Sequence, residues 1–294
     1  MKKIVIDESF LGELEALETL LKNNVSGMFG GNRKSKKYGS SCEFADYRDY
    51  VPGDDITKID WNAYARFDKL YQKLYLDERQ MHTRIYIDAS RSMDYGNGGK
   101  AEMAVRMAAA LAYISVCEMD KVSIYVIRDG ELTEVVSGIV GKEAYLTYIG
   151  LLNEVEFSGD SYISDAVISG KVGMGDGLSV IISDFLTEND FETAIDHLTD
   201  KKRDILCMQV LSREELNPQL RGRVHLFDSE NAALSYRKRI DNDIAKAYKA
   251  ALKYVTSRIS DYCAARGADY MLVGAEDSVT AVLFGKMVNM GVLK

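Results

Sequence analysis

The stretch Arg84-Ile-Tyr-Ile-Asp88-Ala-Ser90-Arg-Ser92 decides how the chain is built. A short apolar run that ends on an acid, then serines, then an alanine-rich segment, reads as a buried strand feeding a loop and a helix. Asp88, Ser90 and Ser92 alternate in that loop, so all three can turn oxygen atoms toward one point. Such a set suits magnesium, a hard ion that demands near-octahedral oxygen ligands and keeps several waters. It does not suit zinc or copper, which prefer nitrogen or sulfur. The competing reading is that Asp88 and the two serines cap the helix that begins near residue 98.

Outward from this stretch the pattern alternates strand and helix. Lys100 to Met119 is an alanine-rich helix, apolar around most of its circumference and therefore buried. Val122 to Ile127 is a strand, and Asp129-Gly130 turns it back into Leu132 to Val136. Helices follow over 142–153 and 161–169. Leu178 to Ser183 is a continuously apolar strand, as in a parallel sheet covered on both faces. A helix over 188–199, a strand from Ile205 to Leu211 and a turn-rich stretch come next. The longest helix spans about 241–265, with Ile244, Tyr248, Leu252, Val255, Ile259 and Cys263 at helical spacing. Asp241 and Asn242 are its N-terminal caps and Gly267 closes it. A strand at Tyr270–Val273 and a helix at 277–289 complete the pattern.

This alternation predicts an α/β fold, a doubly wound, mostly parallel sheet with helices on both faces. In the common strand order, the strand ending at Asp88 lies beside the one ending at Asp184, with both carboxylates in one crevice. Buried together, they require a cation or hydrogen-bond donors. Residues 1–80 read differently: an amphipathic helix over about 8–24, a glycine, serine and lysine loop over 26–41, then a small lobe of short strands and turns. We therefore divide the chain into residues 1–80 and 81–294.

Composition narrows the classes. With 47% hydrophobic and 28% charged residues the chain is globular rather than disordered. A formal charge of -8 argues against general affinity for nucleic acid or anionic membranes. Cys42, Cys117, Cys207 and Cys263 form no CxxC pair, and no histidines sit at metal-ligand spacing, which argues against structural zinc. The N-terminus is too acidic for a signal peptide, and Glu102 and Arg106 interrupt the most apolar helix, so no membrane span and a cytoplasmic location are expected. Three enzyme classes fail on residues. Position 90 is serine where an aspartyl-phosphate enzyme needs a second acid. The loop near residue 30 lacks the P-loop spacing. No GxSxG occurs, and His82, His197 and His225 have no evident serine partner.

Two motifs together resemble a known family. Asp88-x-Ser90-x-Ser92 is similar to the metal-ion-dependent adhesion site of von Willebrand factor A-like domains. Upstream lie Phe44-Ala-Asp-Tyr-Arg48-Asp-Tyr50-Val-Pro52-Gly53-Asp54-Asp55, then Ile59-Asp60-Trp61, Ala65-Arg66 and Lys73. With the first motif they resemble the bacterial and archaeal family known as domain of unknown function 58, over about residues 37–275. The resemblance implies a metal held by Asp88, Ser90, Ser92, Ser161 and Asp184, with serine at 161 where such domains usually carry threonine. It implies Mg2+, with Mn2+ or Ca2+ as alternatives, and an open position completed by a partner's carboxylate. It also implies a non-enzymatic protein-binding role beside a MoxR-like AAA+ ATPase. The rival expectation is a metal-dependent hydrolase in which Asp54, Asp55 or Asp60 joins Asp88 and Asp184. Within the upstream motif, Arg48, Arg66 and Lys73 are expected to pair with Asp54, Asp55, Asp60 and Glu78, and Trp61 to anchor the lobe. The run Arg33, Lys34, Lys36, Lys37 is expected to be a solvated loop.

Overall fold

The computed structural model describes residues 6–24, 35–38, 44–77, 80–95, 99–170, 172, 174–175, 177–187, 189–219, 222–227 and 235–287. Cys42, Glu78, Arg33 and Lys34 lie outside the described residues. The chain forms two compact units, one of residues 1–21 with 81–292 and one of residues 22–80 with 293–294. The first helix, α1 (Glu8–Asn24), therefore belongs for most of its length to the larger unit, not to the N-terminal lobe with which its sequence position groups it. The reason is its apolar stripe. Phe10, Leu14 and Leu17 are buried, the Arg106 guanidinium lies 5.7 Å over the Phe10 ring, and Tyr113 donates to Glu18 at 2.9 Å.

The smaller unit is a three-stranded antiparallel sheet of β1 (Ser35–Tyr38), β2 (Phe44–Asp49) and β3 (Tyr71–Asp77), with β3 central, plus a short helix α2 (Trp61–Phe67). β1 thus falls within the stretch read as a loop. Asp60 starts α2 by accepting the Asn62 and Ala63 N–H groups, and Asp68, at φ 52°, ends it. The Asp60 carboxylate also accepts from Tyr47 at 2.8 Å and pairs with Lys73 at 3.3 Å. The Tyr47 hydroxyl above all, with Lys73 and the two amides, holds its pKa down at about 2. Arg48 binds Asp54 and Gln72 at 2.8 and 2.9 Å. Arg66 makes no ion pair among the described residues. Trp61 is 61% exposed and meets Tyr64 edge-on.

After α1 the larger unit continues with β4 (His82–Asp88), α3 (Gly99–Cys117), β5 (Lys121–Arg128) and β6 (Glu131–Ile139). The β5–β6 hairpin turns through Asp129 and Gly130, both at positive φ, as its two-residue loop requires. Next come α4 (Gly141–Tyr148), α5 (Ile163–Ser169), β7 (Leu178–Ser183), α6 (Glu192–Asp200), β8 (Asp204–Leu211) and the one-turn α7 (Arg213–Leu216). An antiparallel pair, β9 (Gly222–Phe227) and β10 (Ser235–Ile240), occupies the stretch read as turns. Its alternation is masked by Arg223, His225, Arg237, Lys238 and Arg239. Then follow α8 (Asn242–Ala265), β11 (Asp269–Gly274) and α9 (Val279–Ala281), which runs on into a π-turn over Val282–Met287.

The six-stranded sheet has the order β11-β8-β7-β4-β5-β6, parallel except for β6. This is the doubly wound α/β arrangement, and the direction of winding reverses between β4 and β7. α3 lies almost wholly buried because its alanines let it approach the strands closely, and Tyr145 of α4 donates to the Ala109 carbonyl at 3.1 Å. A second core gathers Tyr86, Ile127, Ile163, Val167, Ile181 and Phe185 with Phe191, Ile195, Ile259 and Cys263. Each large apolar side chain buried this way contributes roughly 1.5–3 kcal/mol. Of the α8 stripe only Ile259 and Cys263 are fully buried, so the first half of that helix is more exposed than its periodicity suggests.

His82, at the amino end of β4, has a serine partner that the sequence did not reveal: its Nε2 lies 3.0 Å from Ser123 Oγ. Ser123 also accepts the Gly138 N–H, at the edge of the sheet opposite Asp88. Burial, then Arg84, Lys121 and Arg203, lower the His82 pKa from 6.5 to about 4. The fold thus excludes a proton that the unfolded chain binds, so stability falls as pH drops from 6.5 to 4. Denaturant titrations of His82→Gln should show a flatter stability profile across that window than the natural sequence; identical slopes would contradict it.

Candidate metal centre

The crossover between β4 and β7 sets two strand ends side by side. Ile87 pairs with Ile182, so the next residues, Asp88 and Ser183, are neighbours and Asp184 follows directly. Three loops meet there. The first keeps ladder contact past the strand, with Ala89 N–H donating to the Ile127 carbonyl at 2.9 Å. The second is fastened to it by Ser158 N–H to the Ala89 carbonyl at 2.7 Å and Arg91 N–H to the Gly159 carbonyl at 3.0 Å. Gly159 is at φ 78°, and a Cβ there would collide with the Asp129 carboxylate, which accepts the Asp160 N–H. The third loop is tied to the second by Asn189 Nδ2, which donates to the Ser161 carbonyl at 2.8 Å.

These fastenings bring together all five residues singled out from the sequence. Asp88 and Ser90 are fully buried, Ser161 and Asp184 are 1% exposed and Ser92 is 7% exposed. Asp88 Oδ1 accepts the Ser90 N–H at 3.0 Å. Asp88 Oδ2 accepts the hydroxyls of Ser161 at 2.7 Å and Ser183 at 2.6 Å. The Ser90 and Ser92 hydroxyls lie 3.1 Å apart. Asp184 Oδ1 accepts the Leu186 N–H at 3.0 Å, and its backbone carbonyl accepts Gln209 Nε2 at 2.7 Å. Burial, then the nearby Asp184 charge, push the Asp88 carboxyl above the usual carboxylate range, against the hydrogen bonds from Ser183, Ser161 and Ser90.

Asp88 and the serines bond to one another, to Ser161 and to Ser183, and the residues just before α3 lie outside the described ones. Ser90 starts the 3-10 turn Arg91–Asp94 without any side-chain cap. The donor set is all oxygen, convergent and screened from water, which fits a hard divalent ion. Among the described residues no three or more His, Cys, Asp or Glu side chains gather into a metal-holding group. An ion here therefore depends on hydroxyls: Ser161 donates to Asp88, the Ser90 and Ser92 hydroxyls share one hydrogen bond, and each has lone pairs to offer when its hydrogen turns aside.

Three contributors escaped the sequence reading. Ser183 reads there as one more residue of an apolar strand. Lys100, in the first turn of α3, is buried with its ammonium 2.9 Å from Asp184 Oδ2 and 2.6 Å from Glu215 Oε1. Burial pulls its pKa down, but Asp184 and then Glu215 outweigh burial and leave it raised. Glu215 is itself fixed, since its Oε2 accepts the Ser212 N–H at 2.7 Å in the capping box of α7.

Comparison with known proteins places the chain among relatives. "Uncharacterized protein Rv1480" of Mycobacterium tuberculosis is 23% identical over 253 residues, covering 83% of this chain and 79% of the relative. "Uncharacterized protein Mb1516" of Mycobacterium bovis matches to the same extent. Among solved structures, BatB of Bacteroides thetaiotaomicron is similar at 14% identity and TM-score 0.42, over 72% of this chain and 99% of that one. The SpRpn10 VWA domain is similar at 9% identity and TM-score 0.40, over 71% and 95%. The family model described as "Protein of unknown function DUF58" matches residues 46–257, most of the chain, and the protein belongs to that family.

Proposed function

We propose that this chain is a non-enzymatic, divalent-cation-dependent protein-docking module, acting in the cytoplasm with a MoxR-like AAA+ ATPase as partner. The observation that carries the reading is the charge balance of the buried cluster. Asp88, Asp184 and Glu215 against Lys100 leave three negative groups facing one positive, an excess of two when all are ionised. A divalent ion, Mg2+ in this reading, would neutralise it, with Asp88, Ser90, Ser92, Ser161 and Asp184 as the holding residues. When bound, such an ion would attract a carboxylate of another protein to the crevice. The chain's own part is to fix its oxygens through the second-sphere donors Ser183, Gln209 and the loop amides.

The hydrolase alternative has less support. It needs free carboxylates from the 44–66 motif, yet Asp54 binds Arg48 and the Val51 N–H, and Asp55 accepts from Thr57. Asp60 is occupied by Tyr47, Lys73 and the start of α2. Among the described residues no helix is long and apolar enough to cross a membrane.

Calorimetry with MgCl2 is expected to show one site on the natural sequence and none on Asp88→Ala; equal affinity in both would sink the assignment. Ser161→Thr restricts side-chain rotation and should tighten Mg2+ binding roughly two- to fivefold; weaker binding would argue against Ser161 as a ligand. Ser183→Ala removes a donor from buried Asp88 and should cost about 1–3 kcal/mol in denaturant unfolding and weaken Mg2+ binding without abolishing it. Capture of the AAA+ ATPase should require Mg2+ and be lost in EDTA.

A further inference from the structure

Lys100 occupies an expensive position. Its side chain is 1% exposed, and it sits in the first turn of a helix, whose positive end disfavours a cation. The position is tolerable only because two carboxylates face it, one of them the third-loop aspartate. Both oxygens of Asp184 are already engaged, Oδ2 by the Lys100 ammonium and Oδ1 by the Leu186 N–H. An ion that takes Asp184 as a ligand must therefore share it with the ammonium or displace it. Displacement has a ready destination, since Glu215 Oε1 already lies 2.6 Å from the same nitrogen.

We propose that Lys100 and the divalent cation compete for Asp184, so that Lys100 is a resident counter-cation that holds the third loop without the ion and sets the ion's affinity. The proposal rests on the metal-docking reading above and adds a control to it. Lys100 is a positioning residue, not a ligand. When the ion engages Asp184, the ammonium withdraws onto Glu215, which remains anchored through the Ser212 N–H. The resulting site is tunable: its affinity depends on how strongly Glu215 attracts the ammonium away.

Calorimetry with MgCl2 on the natural sequence, Lys100→Met, Glu215→Gln and Asp88→Ala tests this. Lys100→Met should bind at least about tenfold more tightly, because the competing charge is gone. Glu215→Gln, which strands the ammonium on Asp184, should bind about tenfold more weakly. In thermal melts Lys100→Met should be less stable than the natural chain without Mg2+ and gain more from its addition. If the natural chain binds, Asp88→Ala does not, and Lys100→Met binds equally or more weakly, the competition is refuted while the metal site stands. If neither the natural chain nor Lys100→Met binds, both readings fall; binding by Lys100→Met alone supports the competition. Should Lys100→Met fail to fold, NMR of the natural chain with 15N-labelled lysine decides. The Lys100 ammonium signal should move on Mg2+ saturation, and an unmoved signal would overturn the proposal.

Discussion

A carboxylate with no access to water lies at the end of β4, and much of the larger unit is arranged around it. Leaving Asp88 without partners would cost several kcal/mol. Two serine hydroxyls and one amide meet it instead, and each comes from a different piece of chain: Ser161 from the second loop, Ser183 from the end of β7, and the Ser90 amide from the first loop. The sheet order is what makes this meeting possible. Because the winding reverses between β4 and β7, the connections leaving their adjacent carboxyl ends part and open a crevice there. The backbone links from Ser158 and Arg91 and the side-chain amide of Asn189 then hold the loops at hydrogen-bonding distance.

The second charge in the crevice is treated differently. Asp184 gains an ammonium rather than hydroxyls, and that ammonium is shared with Glu215. The two aspartates are thus unequal: one is held by neutral donors and is pushed toward its protonated form by burial and its neighbour's charge, the other faces a full positive charge. This asymmetry gives the cluster its internal competitor. The connection extends outward, since the Glu215 carbonyl accepts from Tyr248 of α8, and Gln209 joins the Asp184 carbonyl to Tyr270 of β11.

Much of this was legible in the chain because its strands are apolar and sharply bounded. Leu178–Ser183 and the turn at Asp129-Gly130 are marked by local chemistry, and the strand order places Asp88 beside Asp184 once the α/β alternation is read. What local chemistry does not carry was missed. Ser183 acts through strand register, and His82 meets Ser123 only because β4 and β5 pair. The β9–β10 hairpin is too charged to show a period, and α2 is a seven-residue helix signalled only by the Asp60 cap. Lys100 looks like an ordinary charged residue at a helix start; its burial depends on Glu215, more than a hundred residues away in sequence.

Anomalous diffraction from crystals grown with Mn2+ tests the central claim most directly, because manganese accepts the same hard oxygen ligands as magnesium and can be located by its own scattering. The account predicts one strong peak in the crevice, about 2.1–2.2 Å from an Asp88 or serine oxygen of the first loop, with Ser161 in the same shell. A peak elsewhere on the molecule, or an Asp88 carboxylate still bonded only to Ser90, Ser161 and Ser183 at saturating Mn2+, would contradict it.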